Sequence, residues 1–327
     1  MSNPEEALKA FPAGNAHAII PLKTGLIHAT YRVEAEEGTF VLQRMNKIFE
    51  EAVLTDMMHV TEHLKAKGMQ TFALVRANDG ALSHFDGSSH WRLLTYIEGI
   101  SVHSPSLEQI ESAGELVGRF HEAMADASFE FEHKLKAFHN TERYIERLRI
   151  LDESEKGTEK HQALSGMTAY VLGRLAALPF LFKEEPTHVM HGDPKLENVL
   201  FESETGKAVA LIDLDTAGRY SHAIEIGDML RSWTMVPGAA EFSVERWKAA
   251  LSGYRKSSPF ALDDATCMQA MIQISLELTV RFIIDAYEEK YFLHNPAKYA
   301  TLYEQNLEFA KHTLGVLKDF DQKRDLL

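Results

Sequence analysis

The chain has 327 residues and a formal net charge of −14. This length allows two domains or two lobes, and the acidic balance argues against a nucleic acid or an anionic membrane surface as a partner. The single cysteine, Cys267, excludes an internal disulfide and a cysteine-based zinc site, and it indicates a reducing compartment. The N-terminus is acidic where a signal peptide would be basic, and we find no apolar run of membrane length. We therefore expect a soluble, cytoplasmic protein in which Cys267 is a small buried apolar residue.

Short β-like runs dominate the first hundred residues. Turn residues separate the first three runs, which predicts consecutive hairpins, and two later runs complete an antiparallel sheet of about five strands. The predicted strands cover 18–22, 30–35, 39–44, 74–76 and 90–97. Residues 50–68 repeat apolar side chains at helical spacing and end at Gly68, so one helix is expected between the third and fourth strands.

After the last predicted strand the chain runs into Glu98 and Gly99, which indicates a hinge, and the pattern becomes helical. The first helix is expected to begin at Ser104 and Pro105, with the serine as N-cap. His121 on this helix is expected to be a hydrogen-bonded structural histidine. Further helical stretches are predicted at 141–150, 163–177, 242–254 and 263–289.

The order of these elements predicts an α+β fold of two lobes. Residues 1–97 would form a small lobe, an antiparallel sheet with one helix, and residues 98–327 a larger and mostly helical lobe. A chain of this length with ordinary apolar content can bury a core in each part.

The polar residues with the clearest chemistry lie between the helices, at 191–198 and at the end of an apolar run at 212–215. Transfer of a phosphoryl group needs a carboxylate that orients and deprotonates a hydroxyl, and metal ions that neutralise the triphosphate. Asp193 would be that base, while Asn198 and Asp213 would be oxygen ligands for Mg²⁺. Lys195 would lie against the γ-phosphate. A polar surface hairpin is the alternative, but it leaves the spacing of these groups to chance.

These residues match the protein-kinase signature, in which a histidine precedes the catalytic aspartate by two positions and an asparagine follows it by five. The matching positions are His191, Asp193 and Asn198, whereas Gly192 and the Ile-Asp-Leu-Asp run at 212–215 are typical of small-molecule kinases. The chain resembles the aminoglycoside phosphotransferase and choline kinase superfamily. That resemblance implies a kinase-like fold and an ATP- and Mg²⁺-dependent enzyme with an alcohol group as acceptor.

In this family the hairpin loop after the first strand covers the phosphates, so Thr24 and Gly25 are candidate nucleotide contacts. One glycine is equally compatible with a plain β-turn, and the chain has no Walker motif. At the predicted hinge, backbone groups of Tyr96 and Ile97 would pair with the adenine edge.

The third strand is expected to present a cation to the phosphates. Protein kinases use a lysine there, whereas this strand carries Gln43 and Arg44. Arg44 could make the contact through its planar guanidinium, or it could be a solvated edge residue. Its acidic partner would be Asp56 or Glu62.

Two stretches, 25–31 with 41–46 and 281–285 with 291–292, resemble the N-acetylhexosamine 1-kinases. This finer resemblance implies that the acceptor is a sugar, phosphorylated on its anomeric hydroxyl, with Arg281 and Asp285 positioning it. By spacing alone the two residues could instead be an intrahelical ion pair. The chain departs from that pattern at His28, where an asparagine is expected.

Asp228 is expected to support the catalytic loop through backbone hydrogen bonds, or otherwise to pair with Arg231. Two other functions stay open. The acceptor could be an amino alcohol, homoserine or an aminoglycoside, or the chain could be an inactive nucleotide-binding module. We expect no nucleic acid or membrane partner, and the sequence leaves the oligomeric state open.

Overall fold

The computed structural model describes residues 3–22, 28–46, 51–133, 139–179, 181–182 and 188–327. An antiparallel sheet forms the N-terminal lobe, with strand order β1-β2-β3-β6-β4 and β5 beside β6. Its strands are β1 Ala16–Leu22, β2 Ala29–Ala35, β3 Gly38–Arg44, β4 Leu74–Val75, β5 His84–Phe85 and β6 His90–Thr95. The predicted sheet is confirmed. The sequence missed β5, because its two residues lie in a turn-rich stretch.

The two faces of this sheet pack against different partners. One face, with Leu42 and Trp91, joins a core cluster that includes the short helix α1 (Pro4–Leu8). The other face contributes Leu94 to the large core of the C-terminal lobe, where it meets the buried side of helix α2 (Ala52–Ala66). Side chains alternate between the faces of a strand, so neighbouring residues on β3 and β6 point to different lobes.

Seven helices build most of the C-terminal lobe among the described residues. They are α3 Leu107–Met124, α4 Thr141–Ser154, α5 Glu159–Ala176, α6 His222–Trp233, α7 Val244–Ser257, α8 Asp264–Glu288 and α9 Leu302–Lys323. Helix α3 starts later than predicted, because Ser106 rather than Ser104 is its N-cap and completes a capping box with Gln109. His121 is buried and hydrogen-bonded to the hydroxyl of Tyr254, as predicted.

Helix α8 is long and apolar enough to cross a membrane by length and composition, which corrects the expectation that no run reaches that length. However, 67% of its apolar window is buried. The helix packs against α4, α5, α6 and α9. A mostly buried apolar helix of this kind is typical of a protein core. Cys267 near its start is 1% exposed, which confirms the prediction for that residue.

Candidate active site

Two small antiparallel sheets hold the polar motifs. Strand β7 (His188–Met190) pairs with β10 (Gly218–Tyr220), and β8 (Val199–Phe201) pairs with β9 (Ala208–Leu211). The catalytic loop, residues 191–198, therefore follows β7, and the metal turn, residues 212–216, follows β9. A backbone hydrogen bond of 2.9 Å from Ile212 N to the carbonyl of Asn198 joins the two segments.

The structure brings the four predicted catalytic and metal residues together. The ammonium of Lys195 donates a hydrogen bond to the Asp193 carboxylate. The amide of Asn198 donates to the Asp193 carbonyl at 2.9 Å and to its Oδ2 at 3.3 Å. Burial opposes the charge of Lys195, but the carboxylates of Asp193 and Asp213 raise its pKa above the ordinary value. Lys195 is therefore a cation that contacts Asp193 and is also stabilised by the charge of Asp213.

The backbone of the catalytic loop is held by Glu225. Its two carboxylate oxygens accept hydrogen bonds from the N–H groups of His191 at 2.8 Å and Gly192 at 2.9 Å. This is the role predicted for Asp228, and that prediction is wrong. Asp228 lies one turn further along α6 and instead accepts a hydrogen bond of 2.8 Å from Arg231.

His191 links the catalytic loop to the metal turn. The N–H of Asp193 donates to its Nδ1 at 3.3 Å, so the proton is on Nε2, which donates to the carbonyl of Ile212 at 2.9 Å. Burial lowers the pKa of His191 and keeps the ring neutral. Gly192 has a φ of 85°, and a Cβ there would lie 2.3 Å from the carbonyl oxygen of Thr216. Only glycine fits this crossing without displacing the backbone.

Asp213 opens the metal turn in a left-handed conformation, with φ 65° and ψ 57°. Burial and the nearby carboxylate of Asp215 raise the pKa of Asp213 to about 7. Asp213, Asp215 and His28 each place a polar atom within 4.8 Å of the others. The oxygens of Asp213 and Asn198 form a donor set that suits Mg²⁺. A cation at Asp213 would also relieve the repulsion between the two aspartates, so the residues present fit the metal.

Sequence reasoning missed Arg92, a buried arginine of β6. Its Nη1 and Nη2 donate to the two carboxylate oxygens of Asp215 at 2.6 and 2.7 Å, and its Nε donates to Gln43 at 2.8 Å. Burial would raise the pKa of Asp215, but the charge and hydrogen bonds of Arg92 lower it. The sequence does carry a signal, because Arg92 is a charged residue inside an otherwise apolar strand.

The structure contradicts the assignment of Arg44 to the phosphates. Arg44 is exposed and pairs across the sheet with Trp91, on the face turned away from the C-terminal lobe. Asp56 is not its partner, since that carboxylate accepts hydrogen bonds from the backbone N–H groups of Glu132 and His133. The alternation of β3 directs Gln43, not Arg44, to the cleft.

The nucleotide contacts predicted at Thr24 and Gly25 lie outside the described residues. At the hinge, the N–H of Tyr96 donates to the carbonyl of Thr39 at 3.2 Å, so it belongs to the sheet. The Tyr96 N–H is therefore not available for an adenine edge, whereas the predicted contact of Ile97 stays a prediction. Just beyond them, Ile100 exchanges two backbone hydrogen bonds with Phe201 and ties the hinge to the C-terminal lobe.

On the acceptor side, Arg281 is half-buried. Its guanidinium donates to the hydroxyl of Tyr291 at 2.8 Å and lies 5.5 Å from the ring centre of Tyr144 and 5.8 Å from that of Phe292. Among the hydrogen bonds and ion pairs of the described residues it has no carboxylate partner.

Asp285 does not pair with Arg281 and does not face a site. Its carboxylate is 2% exposed. It accepts hydrogen bonds from three successive backbone N–H groups, Lys290, Tyr291 and Phe292, and from the Asn306 amide. The prediction that it positions the acceptor is therefore wrong. Asp285 instead closes the C-terminal end of α8.

A second residue that the sequence analysis missed is His139. It has a φ of 53°, a strained value for a non-glycine residue. Its Nε2 lies 3.4 Å from the carbonyl of Gly192, and its Nδ1 lies 3.4 Å from the buried carboxylate of Glu277. Burial would lower the pKa of His139, but Glu277 and Asp228 raise it above the ordinary value. His139 thus links α8 to the catalytic loop.

The fold and this arrangement of aspartates, asparagine and lysine define a small-molecule phosphotransferase. A family model described as the phosphotransferase enzyme family matches residues 18–260. The chain belongs to that family.

Its relatives include homoserine kinases. The chain is 25% identical to that of Beijerinckia indica subsp. indica over 267 residues, which are 81% of this chain and 79% of the relative. It is 24% identical to the homoserine kinase of Hyphomonas neptunium over 293 residues, 86% of this chain and 85% of the relative. These comparisons do not support the finer resemblance to N-acetylhexosamine 1-kinases.

Solved structures confirm the predicted kinase-like fold. A microcompartment-associated aminopropanol kinase superposes with a TM-score of 0.67 at 16% identity, covering 98% of this chain and 97% of the other. A spectinomycin phosphotransferase in complex with ADP and spectinomycin gives 0.62 at 12% identity, covering 95% and 98%. An aminoglycoside phosphotransferase from Alicyclobacillus acidocaldarius gives 0.61 at 16% identity, covering 100% and 98%.

Proposed function

We propose that this chain is a kinase that transfers the γ-phosphoryl group of ATP to a hydroxyl group of a small polar metabolite, with Asp193 as the catalytic base. One observation carries the proposal. The carboxylate of Asp193 contacts both Lys195 and Asn198, and the Asp213 carboxylate also acts on the charge of Lys195. Asp193, the carboxylate proposed to accept the hydroxyl proton, therefore lies beside the cation of Lys195. The oxygens proposed to bind the metal belong to the neighbouring Asn198 and to Asp213.

In this proposal each side chain has a separate task. Asp193 orients the acceptor hydroxyl and takes its proton as the new P–O bond forms. Asn198 and Asp213 would hold Mg²⁺, which neutralises charge on the β- and γ-phosphates when bound. Lys195 stabilises the charge on the transferred group. Because none of these groups forms a covalent intermediate, the rate acceleration would come from alignment and electrostatics.

For the acceptor, the homoserine kinase relatives support a small hydroxy amino acid or amino alcohol. Arg281 is consistent with an acceptor that carries a carboxylate. Its planar guanidinium can bind a carboxylate through two parallel hydrogen bonds, and among the described residues it makes no hydrogen bond or ion pair with a carboxylate, although the charge of Glu277 acts on it. Homoserine has both the carboxylate and the hydroxyl that such a site requires.

A sugar is the second candidate. The rings of Tyr144, Tyr291 and Phe292 surround the Arg281 guanidinium. Flat aromatic surfaces with one polar group are common in pockets for small polar ligands, and a pyranose ring could pack there.

A substrate panel tests both candidates. The full chain would be incubated with Mg²⁺-ATP and, separately, homoserine, 3-aminopropan-1-ol, choline, free hexoses and N-acetylhexosamines, with ADP release as the readout. We expect acceptor-dependent ADP release that Asp193→Ala abolishes. Glu197→Ala is the matched control, since it removes an exposed carboxylate from the same loop. Nucleotide binding without turnover on any acceptor would favour the inactive module, and full turnover by Asp193→Ala would disprove the role of the base.

A further inference from the structure

We propose that Arg92 and Asp215 form an ion pair between the lobes that positions the metal turn, so that Arg92 of β6 is a positioning residue for Asp213. This inference rests on the proposed function for its metal, but its geometry is independent of the acceptor. It assigns a role to a buried arginine of β6 that the sequence analysis did not single out.

The pair is buried and its geometry is well defined. Both side chains are 2% exposed. Two parallel hydrogen bonds of 2.6 and 2.7 Å join the guanidinium to the carboxylate. Such a fork fixes orientation as well as distance, which a single ammonium contact does not. Arg92 and Asp215 are separated by 123 positions in the chain, so the contact connects elements that no local interaction holds together.

Neighbouring residues fix the arginine from the N-terminal lobe. Gln43 is the cross-strand partner of Arg92 on β3, and its side-chain oxygen accepts from the guanidinium Nε at 2.8 Å. The Nε2 of His28, which immediately precedes β2, lies 3.3 Å from the Asp215 carboxylate. Two residues of the N-terminal lobe, Arg92 and His28, therefore reach one carboxylate of the C-terminal lobe, and Gln43 holds Arg92 in place.

The carboxylate that they hold is two residues after Asp213. Between the two aspartates, Leu214 is buried in the large core. The turn is thus fixed at its middle by packing and at its end by Arg92, while Asp213 adopts its left-handed conformation at the start. Both oxygens of Asp215 already accept from Arg92, whereas Asp213 enters no ion pair among the described residues. This leaves Asp213 as the carboxylate that can receive a cation from the nucleotide.

Binding measurements on two variants can distinguish a role of Arg92 in positioning the metal turn from a role in folding alone. We would measure ADP binding by isothermal calorimetry with and without Mg²⁺ for the wild type, Arg92→Met and the double variant Arg92→Met/Asp215→Asn. The double variant is needed because Arg92→Met alone leaves a buried unpaired charge and could fail to fold. Arg76→Met is the matched control, since Arg76 is an exposed arginine directly after the edge strand β4, which pairs with β6, and it donates to the Gly80 carbonyl.

We expect the double variant to fold, to bind metal-free ADP as the wild type does, and to lose about 10- to 100-fold of the Mg²⁺-dependent gain in ADP affinity. Arg76→Met should keep that gain. A double variant with the full Mg²⁺-dependent gain would show that the pair only neutralises buried charge, and the inference would be wrong.

The outcome is distinguishable from failure of the proposed function. A wild type that binds ADP with Mg²⁺ but turns over no acceptor would remove the proposed kinase activity and leave the positioning role of Arg92 intact. A wild type with no Mg²⁺-dependent ADP binding would overturn both.

Discussion

The carboxylate of Glu225 on α6 accepts a hydrogen bond of 2.9 Å from the backbone N–H of Gly192 in the catalytic loop. Gly192 can lie there because its φ of 85° and its missing Cβ let the loop pass the carbonyl of Thr216. The same carboxylate holds the N–H of His191. One buried acidic residue thus determines where the loop that carries Asp193 begins.

Replacing this acid should disable the enzyme without touching a reacting group. Glu225→Ala leaves two buried N–H groups without acceptors, and each such group costs about 1–3 kcal/mol. We expect a lower free energy of unfolding in urea and a large loss of kcat. Asp228→Asn is the control, because Asp228 contacts Arg231 instead of the loop backbone. Equal losses in the two variants would contradict the role of Glu225.

Lys195 should matter for turnover more than for nucleotide binding. Its ammonium donates to Asp193 and its charge is also stabilised by Asp213, so in the proposed function it lies where charge develops during transfer. Lys195→Met should lower kcat by about 10²- to 10³-fold, which is the usual cost of removing one preorganised charge contact. ADP affinity should change far less. Lys207→Met, at an exposed lysine on the adjoining hairpin, should leave both quantities unchanged.

Substitutions of Arg281 and Asp285 should have different effects. Replacing Arg281 should weaken acceptor binding, whereas replacing Asp285 should destabilise the fold. If the acceptor carries a carboxylate, Arg281→Met should raise KM for homoserine by about 10- to 100-fold, the value of one charge-assisted contact. It should change KM much less for 3-aminopropan-1-ol, which is homoserine without that carboxylate. A similar change for both compounds would argue against carboxylate recognition.

Asp285→Ala should instead destabilise the protein, since it leaves three backbone N–H groups at the end of α8 without an acceptor. We expect a loss of about 2–5 kcal/mol in the free energy of unfolding. In the folded fraction the KM for the acceptor should stay near the wild-type value. An unchanged melting temperature would contradict this structural role.

Cys267 should be unreactive in the native protein. Burial raises the pKa of its thiol to about 12, so at pH 8 the nucleophilic thiolate is essentially absent. A disulfide exchange reagent should label Cys267 only after denaturation, with a rate that follows global unfolding. Rapid labelling of the native enzyme at pH 8 would contradict the buried position.

Much of the fold and of the candidate site is predictable where the determining contacts are local. The hairpins follow from alternation and turn residues, and the catalytic loop from the fixed intervals between Asp193, Lys195 and Asn198. Asp213 can be predicted as a metal ligand as well, because it directly follows the apolar run that contains β9. These positions are close in the chain, so backbone geometry alone keeps them near one another.

The sequence by itself therefore determined the class of chemistry and the catalytic-loop residues that we propose to face the phosphates. Only the tertiary structure decided which of two neighbouring candidates has a given position. Gln43 rather than Arg44 faces the cleft, and Glu225 rather than Asp228 holds the backbone of the catalytic loop. In each case both members fit the local pattern, and burial together with distant hydrogen-bond partners selects one. The Arg92–Asp215 pair shows the reason most directly. Its partners are 123 positions apart, and no periodicity within either strand or turn encodes a contact that exists only when the two lobes pack together.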